Sequence, residues 1–294
     1  MSLDFLAIGE LLADLVTIEN TAGLSDAKSF EIYQGGSPAN VAANIRFMGK
    51  RATLISCVGN DGIGKFLINE LKKSGLSDEH IQVSKTFPTS LVLVTKSVAT
   101  PDFIAYRMAD TQLQPIDKKI IESSSIIHTT AFALSQDPSS EVILRALEFA
   151  VSLDKIISID WNFAPSVWME DDGKDVFERI MKMAPVLKFS RDDLERFCGR
   201  KSIDEYKLFL DKFNCTFTCI TCGKDGVWFR ERNKEWGFKE TIKVDKVIDT
   251  TGAGDAFWSG FICGYLDKMQ IPECVDKGLI SAAKKIQQKG PLYN

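Results

Sequence analysis

The chain has 294 residues, 45% of them hydrophobic and 26% charged, with a formal net charge of -4, the make-up of a globular protein with ample apolar material for a core. The near-balanced charge excludes the basic excess of a nucleic-acid binder, no apolar run approaches the about 18 residues of a membrane span, and the N-terminus lacks the charged and apolar regions of an export signal. Seven cysteines, an odd and scattered set, speak against a disulfide framework and for a reducing, cytoplasmic compartment.

Leu3 to Gly9 is a short apolar run closed by glycine, which reads as a buried strand feeding a loop at its carboxyl end, where ligands collect in α/β sheets. Glu10 follows. Asp14 stands alone among apolar neighbours in Leu12-Ala13-Asp14-Leu15-Val16, either as a solvated turn or strand acid or as a carboxylate kept for a ligand. In Gln34-Gly35-Gly36-Ser37-Pro38-Ala39-Asn40, Ser37 suits an N-cap and Pro38 the first turn of a helix. Gly35 and Gly36 then form an approach loop whose amides can come close to a ligand, and Asn40 projects one turn into the helix. Ala52 to Val58 reads as a strand, and Gly59-Asn60-Asp61-Gly62-Ile63-Gly64 as a tight turn into a helix reaching Ser74, with Asp61 near its start.

From about Ile81 to Arg107 the texture changes to short alternating β-branched segments without helices, which predicts antiparallel strands. Arg107, after Phe103-Ile104-Ala105-Tyr106, is either a surface arginine or a ligand contact. The remainder alternates strand and helix, the pattern of a parallel sheet covered on both faces. Strands are expected at 125–129 and 156–160, with a helix from Ser139 to about Leu153 between them. Asp160-Trp161-Asn162-Phe163-Ala164 lies at a strand end. The segment from Pro185 to Leu194 contains Lys188 and continues into Ser190-Arg191-Asp192-Asp193, where Ser190 and Asp193 would make a capping box. Cys219 and Cys222 share C-x-x-C spacing, but they lie in a β-branched run where their side chains would face opposite ways rather than form a redox pair. With two histidines in the chain, a four-ligand zinc site and a histidine triad are not expected. Thr221-Cys222-Gly223-Lys224-Asp225-Gly226 links that strand to the next, and Pro272 to Lys289 reads as the final helix.

The stretch Asp249-Thr250-Thr251-Gly252-Ala253-Gly254-Asp255 opens a helix of helical apolar spacing that runs past Gly260. Bare amides of Gly252, Ala253 and Gly254 at a positive helix end suit an anion. Asp255 is then either a helix-capping acid or a carboxylate facing that anion. A Walker A loop would need Gly-Lys-Ser/Thr where Asp255-Ala256 stands, and a dinucleotide fingerprint would need a small residue at Phe257.

The two glycine motifs, in this order near opposite ends of the chain, resemble the two signatures of the ribokinase-like (PfkB) carbohydrate kinases, in their fructokinase-like branch. The resemblance runs from Gly9 to Gly290. It implies one doubly wound, mostly parallel α/β domain over residues 1–294, with a small β-sheet lid at about 15–33 and 81–110 that often mediates dimerisation. It further implies Asp255 as catalytic base beside an anion hole of Gly252, Ala253 and Gly254, with Asp14, Gly35, Gly36, Asn40 and Arg107 binding the sugar. Lys188, Ser190, Thr221, Gly223 and Gly226 would face the nucleotide, and Asp193 would reach magnesium through water. The implied reaction is transfer of the γ-phosphoryl group of ATP, with Mg2+, to a primary hydroxyl of a ketohexose, fructose first. Ribose, 2-keto-3-deoxygluconate and nucleosides are alternative acceptors, and a non-catalytic sugar sensor is the alternative class. Two positions depart from the family pattern: Ala164 stands where relatives carry an arginine, and Leu279 where many carry an adenine-contacting asparagine.

Overall fold

Strand β1 (Leu3–Ile8) is buried on both faces, with Phe5 and Ala7 directed into one core and Leu6 and Ile8 into another, as a near-continuous apolar run at the centre of a covered sheet requires. The computed structural model describes residues 2–21, 23–96, 102–168, 172–290 and 292. After β1 come β2 (Leu12–Asn20), β3 (Phe30–Gly35), α1 (Ser37–Phe47), β4 (Ala52–Gly59), α2 (Gly62–Lys73), β5 (Ile81–Ser84), β6 (Leu91–Lys96), β7 (Phe103–Tyr106) and α3 (Lys118–Glu122). Then follow β8 (Ser124–Thr130), α4 (Ser139–Val151), β9 (Ile156–Asp160), α5 (Lys174–Met181), β10 (Val186–Ser190), α6 (Arg191–Cys198), α7 (Ile203–Leu210), β11 (Phe217–Thr221), β12 (Val227–Glu231), β13 (Gly237–Lys239), α8 (Ala253–Leu266) and α9 (Ile271–Lys285).

Nine strands form one sheet in the order β13-β12-β11-β10-β9-β8-β1-β4-β5, parallel except for the antiparallel edge pairs β11–β12 and β12–β13. One face is covered by α3 to α7 and the other by α1, α2, α8 and α9. The strand order reverses at β1, so the loops after β1 and β8 diverge and open a crevice at the carboxyl ends of the strands. Cys219 belongs to one core and Cys222 to the other, and both are free thiols.

The second sheet has the order β3-β2-β6-β7. Two expectations are corrected here. The segment at Ile81 does not join it; β5 extends the large sheet by pairing parallel with β4. The sheet is also not wholly antiparallel, because β2 and β6 run parallel, brought together by a long excursion through the main body. Residues 97–101 of the expected lid lie outside the described residues. One transverse row, Ile32, Leu15, Leu93 and Ile104, faces outward, while the neighbouring row with Asp14, Val92 and Ala105 faces the main body. The chain enters and leaves this sheet at Leu12, Gly35, Leu91 and Tyr106, which pair in adjacent register positions along one edge.

Helices α8 and α9 pack closely because glycines remove the intervening side chains. A Cβ at Gly260 would overlap Ser281 Oγ and come within 3.0 Å of the Gly278 Cα, and one at Gly278 would meet the Phe257 carbonyl at 2.8 Å. The final helix ends at Lys285 rather than Lys289. Gly260→Ala is therefore expected to lower the unfolding free energy by about 1–3 kcal/mol through overpacking, despite alanine's better helix propensity. Urea denaturation would show it as a lowered midpoint with an unchanged slope.

Candidate active site

The starts of α1 and α8 meet in the crevice. Gly36 caps α1 with φ 103, a left-handed conformation, and a side chain there would overlap the Glu10 carbonyl, so glycine is required on both counts. Ser37, expected as the N-cap, is instead the first helical residue, and its hydroxyl is directed elsewhere: Oγ donates to Asp255 Oδ1 at 2.7 Å. Asn40 Nδ2 donates to Asp255 Oδ2 at 2.9 Å. Both oxygens of the Asp255 carboxylate are thus oriented by α1. The Asp14 carboxylate lies against the Gly35 backbone, at the place a Cβ would fill. Burial, followed by the Asp255 charge, pushes the Asp14 carboxyl up to about 7. Burial also raises the Asp255 carboxyl to about 6, against hydrogen bonds from Ser37 and Asn40 that favour its ionised form. The structure therefore brings Asp14, Gly35, Gly36, Asn40 and Asp255 together, and adds Ser37.

Gly252 precedes α8 with φ 74, again left-handed, and turns the chain into the helix whose first turn carries Asp255. Of the three amides expected to receive an anion, that of Ala253 is already engaged, donating to the Thr250 carbonyl at 3.1 Å. Gly254 lies above Lys188, whose Nζ is 3.5 Å from the position of a Cβ on that glycine. Lys188 is buried and donates to both Asp160 oxygens, at 2.8 and 2.7 Å. Burial pulls its ammonium down, and the Asp160 and Asp193 charges more than reverse this, holding it above its ordinary value. Lys188 can thus act on an anion over Gly254 through its charge.

Ser190 and Asp193 form the capping box at the start of α6, and Asp193 Oδ1 also accepts from Arg196 at 2.9 Å. Burial raises the Asp193 carboxyl to about 6, opposed chiefly by Lys188. With both oxygens engaged, Asp193 fits magnesium only through that ion's water shell, which Mg2+ gives up reluctantly. Among the described residues no group of three or more His, Cys, Asp or Glu is placed to hold a metal. Thr221 Oγ1 donates to the Phe189 carbonyl at 3.3 Å, and Gly223 and Gly226 shape the following turn with φ 55 and 104. These lie at the ends of adjacent strands β10 and β11, next to Lys188.

Arg107 is not a surface residue. Its side chain is 3% exposed and pairs with Asp110 through Nε at 2.6 Å and Nη2 at 2.5 Å. Nη1 donates to the Phe132 carbonyl and to Ser135 Oγ, both at 2.9 Å, and the guanidinium stacks 4.1 Å above the Phe132 ring. Glu10, not singled out as a site residue in the sequence, lies nearby. It accepts from the Ser37 amide at 3.2 Å and from Thr130 Oγ1 at 3.1 Å, and burial pushes its carboxyl up to about 8 against the Arg107 charge. Its place directly after the glycine closing β1 was the available signal.

The model of the pfkB family of carbohydrate kinases matches residues 3–294. The chain belongs to that family. It is 32% identical over 295 residues to the ATP-dependent 6-phosphofructokinase of Thermoanaerobacterium thermosaccharolyticum, covering 99% of this chain and 90% of that protein. To the 5-dehydro-2-deoxygluconokinase of Geobacillus kaustophilus it is 29% identical over 293 residues, covering 96% and 87%. The structure of the fructokinase of Halothermothrix orenii matches with a TM-score of 0.84 at 33% identity, over 95% of this chain and 98% of that one. This PfkB-family member is an ATP-dependent sugar kinase whose relatives differ in acceptor.

In such a kinase a carboxylate at Asp255 can take the acceptor's proton only when ionised. As pH falls through about 7 to 6, the Asp14–Asp255 pair gains protons, so kcat/KM for the sugar is expected to decline on the acid side and level off above. A flat pH profile across that range would show that neither carboxyl governs the rate. Asp255→Asn should lower kcat at least about a hundredfold with sugar and ATP affinity little changed. Asp14→Ala should instead weaken sugar binding by about ten- to a hundredfold with ATP binding intact. Titration calorimetry with each ligand separates the two effects.

Proposed function

We propose that this kinase phosphorylates a primary hydroxyl of a neutral ketohexose, fructose, with Mg-ATP as donor. The observation that carries the choice is the state of the guanidinium at the site. Arg107 is committed to Asp110, Phe132 and Ser135, and only Nη2, close to Asp110 without a well-aligned hydrogen bond, retains donor capacity. One donor suits one hydroxyl; a carboxylate or phosphate calls for a free fork. Ala164, which like Phe132, Phe103 and Ala105 packs against one core, supplies apolar surface where relatives place an arginine. An acidic keto-sugar or a sugar phosphate would find little compensation there.

In this reading Asp14 accepts hydroxyls of the sugar, and Asp255, aligned by Ser37 and Asn40, takes the proton of the attacking hydroxyl. The amides of Gly252 and Gly254 receive charge growing on the phosphoryl oxygens, backed by Lys188. Because phosphoryl transfer passes through a loose transition state, positioning and charge neutralisation supply most of the acceleration. Magnesium, bound with the nucleotide and contacted through water by Asp193, would neutralise phosphate charge. Thr221, Gly223, Gly226 and Ser190 line the nucleotide's side. The second sheet acts as a lid that excludes water. Its outward row of Ile32, Leu15, Leu93 and Ile104 supports a homodimer through the lid. The seven unpaired cysteines support a cytoplasmic setting, and no helix among the described residues is long and apolar enough to cross a membrane.

Competition at equal concentrations among fructose, ribose, 2-keto-3-deoxygluconate and fructose 6-phosphate tests the assignment. Fructose is expected to lead each rival in kcat/KM by at least about tenfold, the scale of one unmatched polar group. A lead for the keto acid or the sugar phosphate would overturn the neutral-sugar reading, and a lead for ribose would move the protein to the ribokinase branch. Absence of sugar-dependent ATP consumption with every sugar tested would leave the non-catalytic sensor.

A further inference from the structure

The loop that delivers the start of α8 is held from beneath by a buried ammonium. Residues 240–252 contain no helix or strand. Lys285, the last residue of α9, has a side chain 3% exposed. Its Nζ donates to the Asp249 carbonyl at 3.1 Å and to Asp249 Oδ2 at 3.0 Å. The other carboxylate oxygen, Oδ1, accepts the Thr251 amide at 2.9 Å. The Ile286 carbonyl adds a backbone clamp, accepting from the amides of Ile248 at 2.7 Å and Asp249 at 3.3 Å. Lys285 Cε lies 3.8 Å from where a Cβ on Gly252 would project.

At the end of α9 the cation suits that helix's dipole, but at the start of α8 helix stability would not select it. A cation beside a helix N-terminus opposes the helix dipole, and an acid is the favourable residue there. A nearly buried ammonium must also replace its hydration with oxygen ligands, and here a single residue, Asp249, provides both. Lysine in this position makes physical sense where an anion is to be received, and where the turn carrying the receiving amides must not move. We propose that Lys285 is a positioning residue for phosphoryl transfer: acting through Asp249 and the Thr250–Thr251 turn, its ammonium fixes the Gly252 and Gly254 amides in the orientation that meets the transferred group. The proposal rests on reading those amides as the receiver of the phosphoryl charge.

Lys285→Met keeps most of the stem and removes the charge. It is expected to lower kcat about a hundredfold, the effect of a misplacement near 1 Å, with the calorimetric Kd for fructose within about threefold of the parent. Asp249→Asn, which leaves the lysine in place, should shift kcat the same way, also with sugar affinity intact. In Lys285→Ala, added n-propylammonium should restore turnover, and an uncharged alcohol of the same length should not. A second readout is inhibition by ADP with aluminium fluoride in the presence of fructose, a planar mimic of the transferring group, which the Met variant should bind about a hundredfold more weakly than the parent. Parental kcat in both Lys285→Met and Asp249→Asn, or equal affinity of parent and Met variant for the mimic, would overturn the role of Lys285 alone. Failure of the parent itself to bind the mimic would overturn the underlying reading of the amides and this proposal with it.

Discussion

The geometry of the site depends on two hydrogen bonds that cross the molecule, from Ser37 and Asn40 to the two oxygens of Asp255. They join the first turns of α1 and α8, helices that lie on the same face of the large sheet yet come from opposite ends of the chain. A carboxylate half-buried in a crevice, as Asp255 is, needs partners to stay ionised, and two donors from a rigid helix supply them. Fixing both oxygens also fixes which lone pairs remain for a hydroxyl. Gly36 and Gly252, each left-handed, turn their chains tightly enough for the two helix starts to converge.

Around this junction the charges are arranged in layers. Asp14, Glu10 and Asp255 crowd the crevice, and burial raises all three carboxyls. The compensating cations sit one layer back: Lys188 on Asp160, Arg107 on Asp110, Lys285 on Asp249. Each cation is paired, so the site offers directed potential rather than loose cationic side chains. A polyol acceptor presents hydroxyls and no charge, and suits a crevice whose remaining capacity lies in acceptors and single donors.

Much of this was legible in the sequence because it is local. Glycine pairs next to Pro38 or Asp255, and the alternation of apolar strands with helices, express constraints within a dozen residues. What escaped depends on partners far away in the chain. Ser37 looks like a cap until Asp255 draws its hydroxyl away, and the choice between a surface arginine and a ligand contact at Arg107 stays open until Phe132 and Ser135 are seen to close around it. Strands β2 and β6 run parallel because the chain passes through the main body between them, and no periodicity inside either strand records that path. The alternative reading of Ser190 with Asp193 as a capping box was available from spacing alone, and the box is present.

The attachment of the second sheet has a mechanical consequence. All four of its connections to the body lie along one edge, at Leu12, Gly35, Leu91 and Tyr106, so the sheet is a plate on a single axle. Any swing scales with distance from that axle. Asp14, two positions from the edge, has a short lever arm and would be displaced little, whereas Val16, Phe30, Val94 and Phe103 would sweep a wider arc. A plate mounted this way can uncover the crevice while leaving the Asp14 carboxylate almost where it stands.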